Sequence, residues 1–286
     1  VHAALWQLSQ ELDAGSVDDA MPFDPSRCTA PLPRCPQWLD GSAFLAHGRL
    51  MQRAFGTPPI PDFETVPLLY QGASDDFLGP CSDVPLPDEA DQIDVEGEFG
   101  VIVGDVQMAA NATEALESVR LLVQINDWSL RRYGPREMAA GFGFVQAKPS
   151  TSFAPVAITP DELGSAWRDG RVQLRLQVER NGFWMGHPHG GEMAFSFGEL
   201  IAHAARTRRL RAGTIVGSGT VSNTTDLVGE TCIAERRMRE ILEQGRAQTP
   251  FLGFGDRIRM TALDHTGNAP FGSIDQSVIA SRALER

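Results

Sequence analysis

The chain has 286 residues, 42% hydrophobic and 22% charged, with a formal net charge of −12. These totals suit one large globular domain with a small lead-in, and the acidic balance argues against a nucleic-acid or anionic-membrane partner. No apolar run is long enough to span a bilayer and no signal-peptide pattern is read; the chain opens on Val1 rather than Met, so a preceding piece is expected, and four scattered cysteines without a Cys-x-x-Cys pair suggest a reduced, cytoplasmic protein.

Residues 1–36 read as a short helix, Ala3–Leu12, and a Pro- and Cys-bearing connector from Pro22 to Pro36. Trp38 to His47 then leads into a helix running to about Phe55, with Ser42 as its cap and Ala43, Leu50 and Ala54 on one side. His47 falls on that face, where a histidine is ordinarily a satisfied core or boundary residue. The Pro-rich link from Thr57 to Asp62 divides a lead-in, 1–62, carrying the His47 helix, from a main domain, 63–286. Val66–Tyr70 reads as a strand, and Gln71 to Pro80 as a loop of turn formers.

The stretch from Asp94 to Gly104 ends in an apolar run and reads as a strand that becomes buried. Strand side chains alternate faces, so Glu96 and Glu98 point the same way. Two readings stand for that pair: a solvated face, or a site where a hard cation or a shared proton offsets the repulsion. Thr113–Arg120 reads as a helix and Leu121–Asp127 as a buried strand with a polar tip. Arg131 to Gly143 is a long glycine-bearing crossing, either a lid or a plain surface loop. Lys148 is the sole lysine among 25 Lys and Arg. Where a chain otherwise uses arginine, one retained ammonium suggests a need for a compact charge of tunable pKa.

Val172–Glu179 alternates as a half-buried strand, Asn181-Gly182 signals a tight hairpin, and Phe183–Met185 returns. Ser196 and Glu199 form a capping box opening a helix to about Arg208, with Phe197, Leu200, Ile201 and Ala204 as its core stripe. Thr214–Gly219, Arg257–Ala262 and Ser273–Ile279 are further strands. His187-Pro-His189 reads as an exposed loop, and the two Gly-x-Gly pairs lack a dinucleotide-site context. Strands outnumber helices and pair by hairpins, which indicates a mostly β or α+β domain, not a doubly wound one.

Taken together, Glu96-x-Glu98, Asn126-Asp127-x-Ser129-x-Arg131, Lys148-Pro-Ser-Thr-Ser and Gly217-Ser-Gly-Thr-Val221 resemble the fumarylacetoacetate hydrolase family over about residues 38–280. Tyr70-Gln71-Gly72 is similar to its fumarylacetoacetase subgroup. The resemblance implies a mixed β-sheet roll with a few peripheral helices, and a homodimer. It implies one divalent cation, Mg²⁺ or Mn²⁺ or Ca²⁺, held by Glu96, Glu98 and Asp127, with Asp40, seven residues before His47, as a fourth ligand. His47 becomes the implied general base, partnered by Glu235 with Glu230 as the fallback. Arg131 and Lys148 match positive groups near a developing oxyanion, and Tyr70, Gln71, Gly219 and Thr220 match substrate-contacting positions. Gly134 stands where fumarylacetoacetases carry a glutamine, which puts substrate identity in question. The implied activity is hydrolysis of a carbon–carbon bond in a 1,3-dicarbonyl acid, fumarylacetoacetate or acylpyruvate in type, within aromatic-compound catabolism. A 2-oxo-acid lyase on the same metal site and a non-catalytic ligand binder are the alternatives.

Overall fold

The computed structural model describes residues 2–55 and 60–281. Two sheets form its centre. The first runs in the order Leu69–Gly72, Trp38–Gly41, Ile215–Gly217, Gly97–Val103, Val119–Asn126, Ser152–Phe153. Its pairs are antiparallel except Trp38–Gly41 against Ile215–Gly217, which is parallel. The second runs Phe183–Gly186, Arg175–Arg180, Arg257–Leu263, Ser273–Ala280, Val84–Leu86. Gln124 bridges the two sheets: its Nε2 donates to the Met260 carbonyl at 2.9 Å, and its Oε1 accepts from the Ala262 amide at 2.7 Å. This is the mixed α+β architecture expected from the strand count, with short helices around the sheets.

The inner strands Trp38–Gly41, Ile215–Gly217 and Gly97–Val103 are buried on both sides. Phe99, Val101 and Val103 face a large core with Leu122, Leu174, Leu176, Met260 and Ile274. The alternate face, carried by Ile102, packs with Trp38, Val123, Ile125 and Ile215 in a second cluster. Removing a side chain such as Leu122, which has no exposed surface, costs about 2–5 kcal/mol.

Several local expectations shift. Residues 38–41 do not lead directly into a helix; they are an inner strand of the first sheet, and the helix is Leu45–Phe55. Ser42 therefore lies before the helix rather than at its cap. The strand expected at 66–70 is Leu69–Gly72. The run 172–179 is divided into Arg171–Val172 and Arg175–Arg180. The crossing after Arg131 contains a helix, Gly134–Ala140, and the Ser196-capped helix ends at Ala204. The hairpin turn holds: Asn181 and Gly182 both have positive φ, 52° and 78°. A helix not anticipated in the sequence, Ile233–Gln244, packs against Leu45–Phe55. None of the described helices is long and apolar enough to cross a membrane.

Candidate active site and metal centre

Strand parity brings the acidic residues together. Trp38, Ile102, Val123, Ile125 and Ile215 share one face of the first sheet. Counting by twos from them along each strand puts Asp40, Glu98 and Asp127 on that same face. Register completes the arrangement. Asp40 pairs with Gly217, Gly217 with Gly100, and Gly97 with Asn126. The Asp127 amide donates to the Glu96 carbonyl at 2.9 Å, and the Glu96 amide donates to Asn126 Oδ1 at 3.1 Å. Oxygens of Asp40, Glu96, Glu98 and Asp127 thus lie within 4.8 Å of one another, all four residues buried.

Gly217 makes this possible. A Cβ there would sit 2.5 Å from Asp40 Oδ1 and 3.0 Å from Glu98 Oε2, so any side chain would fill the space between the two carboxylates.

Cations balance part of this charge. Lys148 Nζ donates to Glu96 Oε2 at 2.8 Å and Asp127 Oδ2 at 2.7 Å. Arg131 reaches Glu96 Oε1 through Nη1 at 2.6 Å. Tyr70 donates its hydroxyl to Asp127 Oδ2, and Thr151 donates to Asp127 Oδ1 at 2.8 Å. Four carboxylates against the Lys148 ammonium and a guanidinium that is shared with Asp94 leave at least two formal negative charges, which a divalent cation would offset. Glu98 is 0% exposed and neither of its oxygens has a partner. A buried carboxylate without a donor is costly, and hard divalent ions take oxygen donors of this kind. The donor set therefore fits such an ion. Without one, burial first, then the Asp40, Asp127 and Glu96 charges, push Glu98 well above the usual carboxylate range. Burial and the Asp127 charge push Asp40 up to about 7. Burial acts the same way on Glu96, but the Lys148 and Arg131 charges outweigh it and hold that carboxyl well below the usual range.

Next to the cluster, His47 Nδ1 and Glu235 Oε1 are 2.9 Å apart. Glu235 is buried in the first turn of Ile233–Gln244. Glu230, the fallback partner, is instead paired with Arg236 and Arg239. The N-terminus of the Glu235 helix is held by a residue that sequence reasoning passed over. Asp94 Oδ1 accepts from the Ile233 and Val95 amides at 2.7 and 2.8 Å, and Oδ2 from the Ala234 amide at 2.9 Å. Oδ2 also accepts from Arg131 Nε at 2.8 Å. A carboxylate at a helix N-terminus meets unpaired amides and the positive end of the dipole. One side chain thereby fixes both Glu235 and Arg131.

These groups open onto a hollow of about 610 Å³ whose lining includes Asp40, His47, Tyr70, Glu96, Arg131, Lys148, Gly219 and Thr220. Glu98 and Asp127 lie beneath it in the carboxylate cluster. Gln71 is exposed and is not among the lining residues, because its neighbour Tyr70 takes the inward face of the strand. Arg131 Nη2 is buried without a partner. His187 and His189 are half-buried and form no chelating pair: His187 Nδ1 accepts from Trp184 Nε1 at 3.1 Å, while His189 Nδ1 accepts from the Gly191 amide at 3.0 Å.

Residues 37–279 match the family model of the fumarylacetoacetate (FAA) hydrolase C-terminal domain. The chain belongs to the fumarylacetoacetate hydrolase family. Among curated members, it is 29% identical over 165 residues to the 2,4-didehydro-3-deoxy-L-rhamnonate hydrolase of Sphingomonas sp. (strain SKA58), covering 57% of this chain and 54% of that one. It is 24% identical over 167 residues to the human mitochondrial oxaloacetate tautomerase FAHD2A, covering 57% and 49%. The match thus spans about half the length of these curated relatives. Among solved members of the fold, the fumarylpyruvate hydrolase of Pseudomonas aeruginosa, in complex with Mn²⁺ and pyruvate, superposes with a TM-score of 0.62 at 15% identity, covering 92% of this chain and 100% of that one. The 5-carboxymethyl-2-hydroxymuconate delta-isomerase of Mycobacterium smegmatis superposes with a TM-score of 0.60 at 18% identity, covering 89% and 82%. The curated relatives named here are a hydrolase and a tautomerase, and the chain carries a carboxylate cluster suited to a divalent cation.

Proposed function

We propose that the protein is a divalent-metal-dependent hydrolase that breaks a carbon–carbon bond in a 1,3-dicarbonyl acid of the acylpyruvate or fumarylacetoacetate type, with a role in aromatic-compound catabolism. One juxtaposition carries the reading: the His47–Glu235 pair opens onto the same hollow as four converging carboxylates. The relative named as a hydrolase of a didehydro-deoxy sugar acid supports it. Asp40, Glu96, Glu98 and Asp127 would hold the cation, Mg²⁺ or Mn²⁺ or Ca²⁺, which when bound polarises the two substrate carbonyl oxygens.

His47, oriented through Nδ1 by Glu235, takes a proton from water at Nε2. The water oxygen bonds to the acyl carbonyl carbon, and the charge that develops on the carbonyl oxygen is offset by the Lys148 ammonium and the Arg131 guanidinium. The bond from that carbon to the central carbon then breaks. Its electron pair passes to the pyruvyl fragment as an enolate, and His47 returns the proton to the enolate carbon. From an acylpyruvate the products are a carboxylic acid and pyruvate; from fumarylacetoacetate, where an acetoacetyl fragment takes the place of the pyruvyl one, they are fumarate and acetoacetate. Tyr70, Gly219 and Thr220 would position the substrate from the wall. The homodimer belongs to the same proposal and is read by analytical ultracentrifugation.

The relatives named as tautomerases favour a second reading, proton transfer on a 2-oxo acid using the same enolate-stabilising groups. One assay separates the two. Release of pyruvate and a carboxylic acid from an acylpyruvate, with Mg²⁺ or Mn²⁺ present, supports hydrolysis. Accelerated keto–enol exchange of oxaloacetate with no bond cleavage in any 1,3-dicarbonyl acid supports the second and overturns the first.

A further inference from the structure

The hollow is two-sided in its chemistry. Its floor carries the carboxylates, Arg131 and Lys148. Its outer wall is apolar, built from Phe44, Ile60, Leu68, Leu69, Met138 and Phe144. Both lining cations are committed at the floor: Lys148 to Glu96 and Asp127, Arg131 to Asp94 and Glu96. The unpaired Nη2 of Arg131 lies at the floor too, on the guanidinium whose Nη1 bonds Glu96. Arg136, on the Gly134–Ala140 helix, is exposed and is not among the lining residues. Among the described lining residues, the wall therefore offers no cation to a second carboxylate.

It offers an anion instead. Glu137 lines the hollow, and its carboxylate accepts from the Val145, Gln146 and Ala147 amides at 2.9–3.2 Å. Those donors fix a negative charge on the wall. The lining is apolar toward solvent as well: Met138 is 63% exposed. Uncovered apolar side chains around a cavity gain from an apolar occupant.

We infer that the preferred substrate ends in an uncharged, apolar tail rather than in a second carboxylate. The inference rests on the dicarbonyl-acid reading of the floor, and it names what the rest of the molecule looks like. The reacting dicarbonyl end sits among the cations and carboxylates, and the tail runs out along Leu68, Leu69, Met138 and Phe144. Each methylene buried there improves binding about fourfold, whereas a terminal carboxylate would lose its hydration beside Glu137 without gaining a partner.

The test compares two nine-carbon acids that differ at one end, 2,4-dioxononanoate and 2,4-dioxononanedioate, with Mn²⁺-loaded protein. The methyl-ended acid is expected to have at least a tenfold higher kcat/KM. In Met138→Arg, at a largely exposed position where folding is spared, the ratio is expected to fall about tenfold. Equal or better cleavage of the diacid by the unaltered protein, or an unchanged ratio in Met138→Arg, overturns the inference. If neither acid is cleaved, the hydrolase reading falls. Calorimetric binding of the monocarbonyl acids 2-oxononanoate and 2-oxononanedioate then decides the tail preference by itself. Tighter binding of the methyl-ended acid sustains it, and equal or tighter binding of the diacid overturns it.

Discussion

Glu98→Gln tests the carboxylate cluster most directly. Glu98 has no exposed surface and no N–H or alcohol donor to either oxygen, so its charge is relieved either by a bound cation or by a proton shared with Asp40. With Mn²⁺ at a hundredfold excess over Kd, the original protein should gain about 2.7 kcal/mol of stability. For a chain of this size that is an upward Tm shift of about 5–10 °C. Glutamine keeps the shape but removes one ligand charge from the four. A hundredfold loss of affinity would leave about 0.4 kcal/mol, a shift below about 2 °C at the same metal concentration. The metal-free variant should lose only the cost of its unpaired amide. Burial and three neighbouring carboxylates push Glu98 well above the usual carboxylate range without metal, which favours the uncharged form that glutamine resembles. The unpaired amide costs about 1–3 kcal/mol at most. Differential scanning calorimetry of chelator-stripped protein, with and without Mn²⁺, reads both numbers. An undiminished metal shift in Glu98→Gln, or no shift in the original protein, would refute the metal centre.

Four further outcomes follow from the same geometry. His47→Ala should lower kcat about 10²–10⁴-fold while leaving the Mn²⁺-dependent Tm shift intact, since His47 bonds Glu235 and not the carboxylates; an unchanged kcat removes its role as base. Asp94→Asn leaves the Ala234 amide and Arg131 Nε facing a group that cannot accept from both; buried orphan donors cost about 1–3 kcal/mol, a Tm drop of about 2–10 °C, together with a loss in kcat, and a variant equal to the original in both dismisses Asp94 as a link. Gly217→Ala should weaken Mn²⁺ affinity at least tenfold in calorimetric titration, because its Cβ falls 2.5 Å from Asp40 Oδ1, and unaltered affinity contradicts the packing argument. In the metal-free protein Asp40 is raised from 3.8 to about 7; an acid with a raised folded pKa stabilises below its unfolded pKa and loses that contribution as pH rises, so metal-free Tm should decline between about pH 4 and 7 while Mn²⁺ affinity climbs over the same range. A metal affinity flat across that window argues against Asp40 as a ligand.

The carboxylate convergence was legible in part: the apolar runs marked the strands that carry Glu98 and lead to Asp127, but Glu96 lies just before Gly97–Val103, where its amide's bond to Asn126 Oδ1 and not strand alternation holds it. Alternation itself argued against Gln71. With Tyr70 turned inward, the next residue must turn out, and family resemblance was given precedence over that alternation. Strand Trp38–Gly41 escaped because all four of its residues are buried, so no polar alternation announced it. The glycines of the crossing from Arg131 to Gly143 gave no helix signal, yet proline at the first helical positions starts a helix there, since the amide it lacks would go unpaired anyway. The Glu235 helix hid for a longer-range reason. Its N-cap residue, Cys232, makes no side-chain cap, and the acceptor that completes the turn is Asp94, 139 residues from Ile233. A helix start capped from across the fold leaves no local signature. Spacing along the chain does not fix Glu235 for the same reason: its place is set by the Asp94 carboxylate, which ties the helix carrying the His47 partner to the guanidinium that bonds Glu96.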